Sequence, residues 1–93
     1  MRAIEYTIRF KRDYRRELKG RYKRTLEADL SGVLESLLKD ETLAVKFRDH
    51  ALSGNWADHR DCHLRPDLVL IYRLAGLDIL QLVRLGSHSE LGL

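Results

Sequence analysis

Four histidines are the side chains best suited to chemistry in this 93-residue chain, and they are His50, His59, His63 and His88. Imidazole is the side chain whose unperturbed pKa lies closest to neutral pH, so a histidine can both accept and donate a proton under physiological conditions. Acid–base catalysis is therefore the first chemistry that the sequence indicates.

The segment 60–65 places an acid, an imidazole and a guanidinium at alternate positions. Alternate side chains of a β-strand share a face, so Asp61, His63 and Arg65 are predicted to line one side of a strand. Such a row can hold a phosphodiester, with histidine moving a proton and arginine stabilising charge on the phosphate oxygens. An ordinary solvent-facing strand with a cross-strand ion pair fits the same spacing.

Metal, nucleotide and thiol chemistry receive little support. His59, Asp61 and His63 could be metal ligands, but the chain has no HExxH, paired CxxC or EF-hand spacing, and we predict no metal. Neither a GxxxxGK[ST] nor a GxGxxG loop is present, so we predict no nucleotide cofactor. Cys62 is predicted to be a small buried hydrophobic residue. As the single cysteine it cannot form an internal disulfide, which favours a reducing compartment.

Positive charge is concentrated near the N-terminus. Residues 1–24 hold ten Lys and Arg against three Asp and Glu, whereas residues 25–93 hold seven against eleven. Clustered cations attract phosphates whatever the base sequence, so a polyanion is a candidate partner, with a solvated helix face as the alternative. The cations of the first predicted helix are Lys11, Arg12, Arg15, Arg16 and Lys19. Trp56 could add stacking on a nucleobase.

Hydrophobic periodicity predicts the elements that must position these residues. Residues 1–9 alternate as a strand with one wet face, and apolar residues at every fourth position over 10–18 predict a short helix with a basic outer surface. Leucines at helical spacing over 21–40 predict the main core helix. The short break between the two helices predicts that they pack as an antiparallel hairpin.

The C-terminal half predicts three antiparallel strands joined by tight turns. The strands are residues 60–65, 68–74 and 77–85, and the turns are Pro66-Asp67 and Ala75-Gly76. The second strand is apolar on both faces and is predicted to be central, with Tyr72 in the core. Strand, helix, helix and meander together predict an α+β fold with helices packed on one side of the sheet.

Length and hydropathy limit the organisation further. A chain of this length is predicted to be a single domain spanning 1–93. No apolar run approaches the length of a signal peptide or of a membrane span, so we predict a cytoplasmic protein with no membrane partner.

Two stretches of the C-terminal half resemble a known family. They read HALSGNWADHRDCHLRPDLVLIYR, from His50 to Arg73, and RLGSHSEL, from Arg84 to Leu91. The pattern H-x-L-x-G-x-W followed by R-D-x-H-x-x-P-D-x-x-L-I-Y resembles the YafQ branch of the RelE/ParE toxin superfamily. The N-terminal strand and helix pair agree with that family in length and order, so the resemblance covers nearly the whole chain.

The resemblance implies a RelE-like fold and a toxin of a type II toxin–antitoxin system. Such a toxin is a ribosome-dependent endoribonuclease that cuts mRNA in the A site without a cofactor. Its partners are the ribosome with its rRNA, the mRNA, and a cognate antitoxin of the DinJ/RelB kind. On this implication the basic residues of the first helix become a docking surface for ribosomal RNA.

The family's active-site positions match His50, Asp61, His63, Asp67 and His88. We hypothesise that His88 is the general acid and that His50 or His63 is the base or orients the phosphate. In this hypothesis Asp61 and Asp67 fix imidazole tautomers. Arg84 adds positive charge.

The chain departs from the family at one position near its C-terminus. Family members commonly end H-x-x-L-F, with an aromatic residue that stacks on the mRNA base, whereas Gly92 stands at that position here. Base stacking is worth about 1–3 kcal/mol per base, so weaker cleavage is expected unless Trp56 substitutes. The alternatives are therefore an attenuated relative that binds antitoxin and ribosome with little cleavage, and a ParE-like gyrase inhibitor that shares the fold.

Overall fold

A five-stranded mixed sheet organises residues 2–93, the part of the chain that the structure, a computed structural model, describes. The strands are β1 (Ala3–Tyr6), β2 (His50–Ala51), β3 (Arg60–Arg65), β4 (Leu68–Ala75) and β5 (Ile79–Gly86). The helices are α1 (Ile8–Glu17), α2 (Leu26–Leu38) and α3 (His88–Leu91), and single 3-10 turns occupy Val45–Phe47 and Gly54–Trp56. No helix within residues 2–93 has the length and apolar character to cross a bilayer.

The sheet order is β1-β5-β4-β3-β2, with β1 parallel to β5 and all other neighbours antiparallel. The predicted α+β fold with a meander of β3, β4 and β5 is thus confirmed. β1 lies beside β5, so that the first and last strands of the chain are neighbours. The two-residue β2, for which no strand was predicted, forms the opposite edge.

β4 is the central strand of the meander, as predicted, because its side chains are buried on both faces of the sheet. Leu68, Leu70 and Tyr72 face α1 and α2 in the main core, while Val69 and Ile71 belong to a smaller cluster on the other face. The smaller cluster is closed by residues from α3 and from the loop before β3. These are Leu91, Leu52 and Trp56.

The N-terminal element boundaries differ from the prediction because a helix cap intervenes. β1 ends at Tyr6 instead of residue 9, and the Thr7 side chain accepts a hydrogen bond from the Phe10 amide at 3.0 Å, which starts α1 at Ile8. Ile8 is 76% exposed and does not continue the strand. Helix α2 begins at Leu26 and ends at Leu38, shorter at both ends than the predicted 21–40, since residues 21–25 form turns.

A buried ion pair ties α1 to β5. The carboxylate of Asp13 accepts hydrogen bonds from Arg84 Nε at 2.7 Å, from the Leu85 amide at 3.0 Å and from Arg16 Nη1 at 3.0 Å. Burial alone would raise the pKa of Asp13, but these hydrogen bonds and the two guanidinium charges outweigh burial and lower it. Arg16 also donates to the Leu85 carbonyl at 2.8 Å. Asp13 therefore holds the first helix against the last strand.

Removal of the Asp13 carboxylate is expected to destabilise the fold strongly. Breaking a buried ion pair from one side costs about 3–5 kcal/mol, because the remaining charge stays buried without its partner. Asp13→Ala should thus lower the free energy of unfolding by about 3 kcal/mol or more in urea denaturation at pH 7. Asp78→Ala, at an exposed carboxyl, is the matched control and should unfold like the wild type.

The difference in unfolding free energy between wild type and Asp13→Ala should depend on pH. The folded-state pKa of Asp13 lies below the unfolded value of 3.8, so its stabilisation is present above that pH and is lost as the pH falls through the folded-state value. The stability gap between wild type and Asp13→Ala should accordingly narrow below about pH 4. A stability difference that widens as the pH falls, or no difference at pH 7, would show that the Asp13 carboxylate does not stabilise the fold.

Candidate active site

Three of the four histidines have neighbouring rings, and they lie in β2, β3 and α3. The ring centroids of His50 and His63 are 6.5 Å apart, and those of His63 and His88 are 5.0 Å apart in an edge-on arrangement. The fourth, His59, lies outside this group with its ring edge-on to Trp56 at 5.4 Å. The structure therefore brings together the three histidines that the sequence selected and leaves His59 aside.

Strand register brings the three histidines together. His50 in β2 pairs with Asp61 in β3, and His63 in β3 pairs with Val69 in β4. Val69 in turn pairs with Gly86 at the end of β5, two residues before His88. Histidines separated by up to 38 positions in the chain thus lie in one row across the sheet.

Asp61 is a buried carboxylate beside two of these rings. Its Oδ1 lies 3.2 Å from His50 Nδ1 and 3.9 Å from His63 Nε2, yet it accepts no hydrogen bond from any residue in the described range. His50 Nδ1 instead bonds to the Arg48 carbonyl at 2.7 Å. Burial raises the pKa of Asp61, opposed by the nearby histidines. The geometry gives Asp61 an electrostatic relation to the histidines, without the hydrogen bond that would fix a tautomer.

The His88 ring is held by Asp67, which lies in the turn between β3 and β4. Asp67 Oδ1 accepts from His88 Nδ1 at 2.7 Å and from the His88 amide at 3.1 Å. These bonds lower the pKa of Asp67, which therefore stays a carboxylate that can only accept. Nδ1 must consequently carry a proton, and Nε2 of His88 is left to exchange one with a substrate.

His63 is the most enclosed of the three histidines, with 12% of its side chain exposed. Burial lowers the pKa of His63 below its ordinary value, while the Asp61 carboxylate acts in the opposite direction. Its surroundings therefore favour the neutral imidazole over the imidazolium.

A cleft of about 820 Å³ opens beside His63 and His88. One wall is formed by α2, and the other carries Lys46 and Arg48, two cations that the sequence analysis did not select. Arg48 adopts a left-handed conformation with φ 49°, and neither cation takes part in an ion pair within residues 2–93. Their proximity in sequence to His50 was the signal that could have identified them.

Two arginines predicted to hold phosphate are instead held by carboxylates. The alternation assumed for Asp61, His63 and Arg65 fails because β3 has an irregularity between residues 63 and 65, so Arg65 pairs with Leu68. Arg65 then binds Asp29 of α2 through Nε at 2.7 Å and Nη2 at 3.2 Å, although it still lines the cleft. Arg84 is occupied by Asp13 in the same way.

Some of the other residues predicted to contact RNA are exposed, and the rest are bound by carboxylates or packed against apolar side chains. Arg16 is bound by acidic side chains of α1 and by Glu90, whereas Lys11, Arg12 and Arg15 of α1 are exposed, as is Lys19 in the turn after the helix. Trp56 is half-buried and packs in the smaller cluster. Gly92 ends α3 in a left-handed conformation with φ 71°, and a Cβ atom at this position would meet no atom within 4 Å.

No group of three His, Cys, Asp or Glu side chains in the described part of the chain is arranged to hold a metal ion. Cys62 is fully buried, and burial raises the pKa of its thiol, consistent with the predicted hydrophobic role. The polar groups that line the cleft include the imidazoles of His63 and His88, the Asp29 carboxylate and the cations Lys46, Arg48 and Arg65, whereas His50 and Asp61 are not among its lining residues.

Comparison with known proteins identifies the family to which this combination of fold and side chains belongs. A sequence model described as the bacterial toxin YafQ of type II toxin–antitoxin systems matches residues 2–92. The chain belongs to the YafQ toxin family. An mRNA interferase toxin YafQ of Escherichia coli K12 is 33% identical over 90 residues, covering 95% of this chain and 97% of that protein.

Solved structures of bacterial toxins share the fold. A copper-bound mutant toxin from Helicobacter pylori has a TM-score of 0.85 at 39% identity, covering 98% of this chain and 99% of that one. The toxin in a DinJ-YafQ complex from E. coli has a TM-score of 0.83 at 30% identity, covering 98% of both chains. The predicted membership of the RelE superfamily is thus confirmed.

The environment of His63 can be tested by titration. The Asp61 carboxylate opposes the effect of burial on His63, so Asp61→Asn should move the His63 titration midpoint to still lower pH. The measurement is an NMR titration of the histidine ring protons, with Asp58→Asn at an exposed aspartate as control. An unchanged or raised midpoint in Asp61→Asn would show that the Asp61 charge does not act on His63.

Proposed function

We propose that this YafQ-family chain is a ribosome-dependent endoribonuclease that cuts mRNA in the A site by metal-independent acid–base catalysis and so inhibits translation. The observation that carries this proposal is the row of His50, His63 and His88 beside buried Asp61, with Nδ1 of His88 bound to Asp67. The similar E. coli protein is named an mRNA interferase, which supports RNA as the substrate.

The reaction needs two proton transfers and no cofactor. A base removes the proton of the 2′-hydroxyl, the 2′-oxygen attacks phosphorus, and the bond to the 5′-oxygen breaks as an acid protonates that oxygen. The products are a 2′,3′-cyclic phosphate and a 5′-hydroxyl. His88 is suited to the acid because Asp67 holds its Nδ1–H, which directs the exchangeable Nε2 proton towards the cleft.

His50 is better placed than His63 to be the base. A base and an acid act on two different oxygens of the scissile phosphate, and His63 is in edge-on contact with His88, with 5.0 Å between ring centroids, so a base further along the row is better separated from the acid. His50 lies on the other side of His63 and donates its Nδ1–H to the Arg48 carbonyl, so Nε2 is free to accept a proton. His63 then orients the phosphate between the two.

Cations on the wall of the cleft are suited to the charge that develops on the phosphate. Arg48 and Lys46 face the cleft without a counter-charge in the described residues, whereas Arg65 and Arg84 are committed to Asp29 and Asp13. Charged groups that are already in place stabilise the transition state without reorganisation. We therefore assign the main phosphate-stabilising role to Arg48 and Lys46, with Arg65 at the margin.

The macromolecular partners follow from the same proposal. A surface suited to ribosomal RNA is formed by exposed cations, namely Lys11, Arg12 and Arg15 of α1 and Lys19 in the turn after it. E. coli YafQ has been crystallised with DinJ, which supports a cognate antitoxin of the DinJ/RelB kind for this chain. A single buried cysteine fits a site of action in the cytoplasm, where translating ribosomes are found.

His88→Ala is expected to lower mRNA cleavage by about 10²- to 10⁴-fold, the usual contribution of a general acid. The measurement is the single-turnover rate of mRNA cleavage by purified protein on programmed ribosomes. His59→Ala removes a histidine outside the group and should keep the wild-type rate. Equal rates for His88→Ala and the wild type would exclude His88 as the acid.

Gly92 decides between an efficient and an attenuated enzyme. An aromatic ring at this position would stack on the mRNA base, worth about 1–3 kcal/mol. The left-handed backbone at Gly92 costs any other residue about 1–2 kcal/mol. Gly92→Ala carries the same backbone cost without a ring and is therefore the matched control. We expect Gly92→Phe to cleave about 10-fold faster than Gly92→Ala. Equal rates would show that the position does not contact the base.

A further inference from the structure

A partly buried cluster of hydrogen-bonded side chains, formed by Asp49, Arg60 and Tyr72, adjoins the proposed catalytic base in the chain. Tyr72 in β4 is 1% exposed, and its hydroxyl donates to Asp49 Oδ1 at 2.5 Å. Arg60 in β3 donates to the same oxygen through Nε at 3.2 Å. Burial and the Asp49 carboxylate together raise the pKa of Tyr72, so the phenol remains a donor. Asp49 immediately precedes His50 in the chain.

Strand β2 needs such an anchor because its own pairing is minimal. It consists of His50 and Ala51, paired only with Asp61 and Arg60 at the edge of the sheet. So short an edge strand has few hydrogen bonds to hold its position. Arg60 also pairs with Tyr72, so the two donors to Asp49 lie side by side on β3 and β4. Asp49 thus connects the edge to the buried centre of the sheet.

The anchor bears on the chemistry of the His50 ring. Asp49 lies between Arg48, whose carbonyl accepts from His50 Nδ1 at 2.7 Å, and His50 itself. A carbonyl oxygen can only accept, so this contact requires the proton on Nδ1 and leaves Nε2 unprotonated in the neutral ring. The orientation of that carbonyl depends on the left-handed backbone of Arg48, φ 49°, which persists only where the surroundings hold it.

We propose that Asp49, bound by Tyr72 and Arg60, is a positioning residue that fixes the tautomer of His50 and aims Arg48 at the cleft. This inference rests on the proposed function for its effect on cleavage, but the tautomer itself is a property of the free protein. Asp49 and Tyr72 do not touch the substrate. They hold the backbone from which the base and one phosphate-binding cation project.

The most conservative variant that tests the positioning role of Asp49 is Tyr72→Phe, which removes one hydroxyl and keeps the ring in the core. Tyr6→Phe, at an exposed tyrosine of β1, is the matched control. The first readout is the ¹⁵N chemical shifts of the His50 ring nitrogens in free protein, which distinguish the two neutral tautomers. We expect wild type and Tyr6→Phe to show Nδ1–H alone, and Tyr72→Phe and Asp49→Ala to show a mixture.

The second readout is single-turnover cleavage on programmed ribosomes, with ribosome affinity measured separately. Tyr72→Phe and Asp49→Ala should lower the cleavage rate about 10- to 100-fold, within the range of general-base catalysis, with ribosome affinity unchanged. Asp49→Glu, which restores a carboxylate, should recover part of the rate lost in Asp49→Ala. Thermal melting of each variant confirms that it is folded at the assay temperature.

The outcomes separate this inference from the proposed function. A folded Tyr72→Phe with the wild-type tautomer and rate would overturn the positioning role. A wild-type protein that does not cleave mRNA would overturn the proposed function, while the ring-nitrogen shifts would still decide the role of Asp49. Loss of ribosome affinity in Tyr72→Phe with an unchanged cleavage step would also contradict the inference, since it would place Asp49 in docking.

Discussion

The antiparallel register of β3, β4 and β5 is the constraint on which the rest of the structure depends. β4 is buried on both faces and therefore has to be central, which places β3 and β5 on either side of it. That arrangement aligns His63 with Val69 and with Gly86, and carries His88 to the same edge. A slip of one residue in β3 would turn His63 into the helix-side core and Cys62 outwards, removing the site altogether.

Three aspartates show how the same side chain acquires different roles from its surroundings. Asp13 is enclosed by donors, so its carboxylate is stabilised and joins two elements. Asp67 is in the open turn, where it holds a single imidazole. Asp61 is buried without a hydrogen bond among the described residues, so its charge acts on the histidines through space. Their environments give the neighbouring imidazoles different surroundings, as the proposed division into acid and base requires.

Ion pairing also determines which cations remain available to the RNA partner that we propose. Arg16, Arg65 and Arg84 carry the same charge as the exposed residues of α1, but each is held by an aspartate of the fold. Arg48 and Lys46 belong to the acidic part of the chain by composition and nevertheless line the cleft. The local charge that a phosphate meets is thus set by which cations lack a carboxylate partner.

Local patterns in the sequence were sufficient for the α+β order, the central position of β4, the burial of Tyr72 and Cys62, and the family motif with its histidines. These features depend on side-chain periodicity and residue type, which are local properties of the sequence. The ends of helices and strands were harder to predict, because the Thr7 cap and the irregularity in β3 depend on individual hydrogen bonds.

Only the tertiary structure decided the edge strand β2, the pairing of Arg65 and Arg84 with carboxylates of the fold, and the nitrogen of His50 that donates to the Arg48 carbonyl. Each depends on contacts across the fold, such as Asp13 with Arg84 and Asp49 with Tyr72, which are 71 and 23 residues apart. The pattern of a segment records whether its side chains are buried, but the partner of a buried charge is chosen by strand register and helix packing.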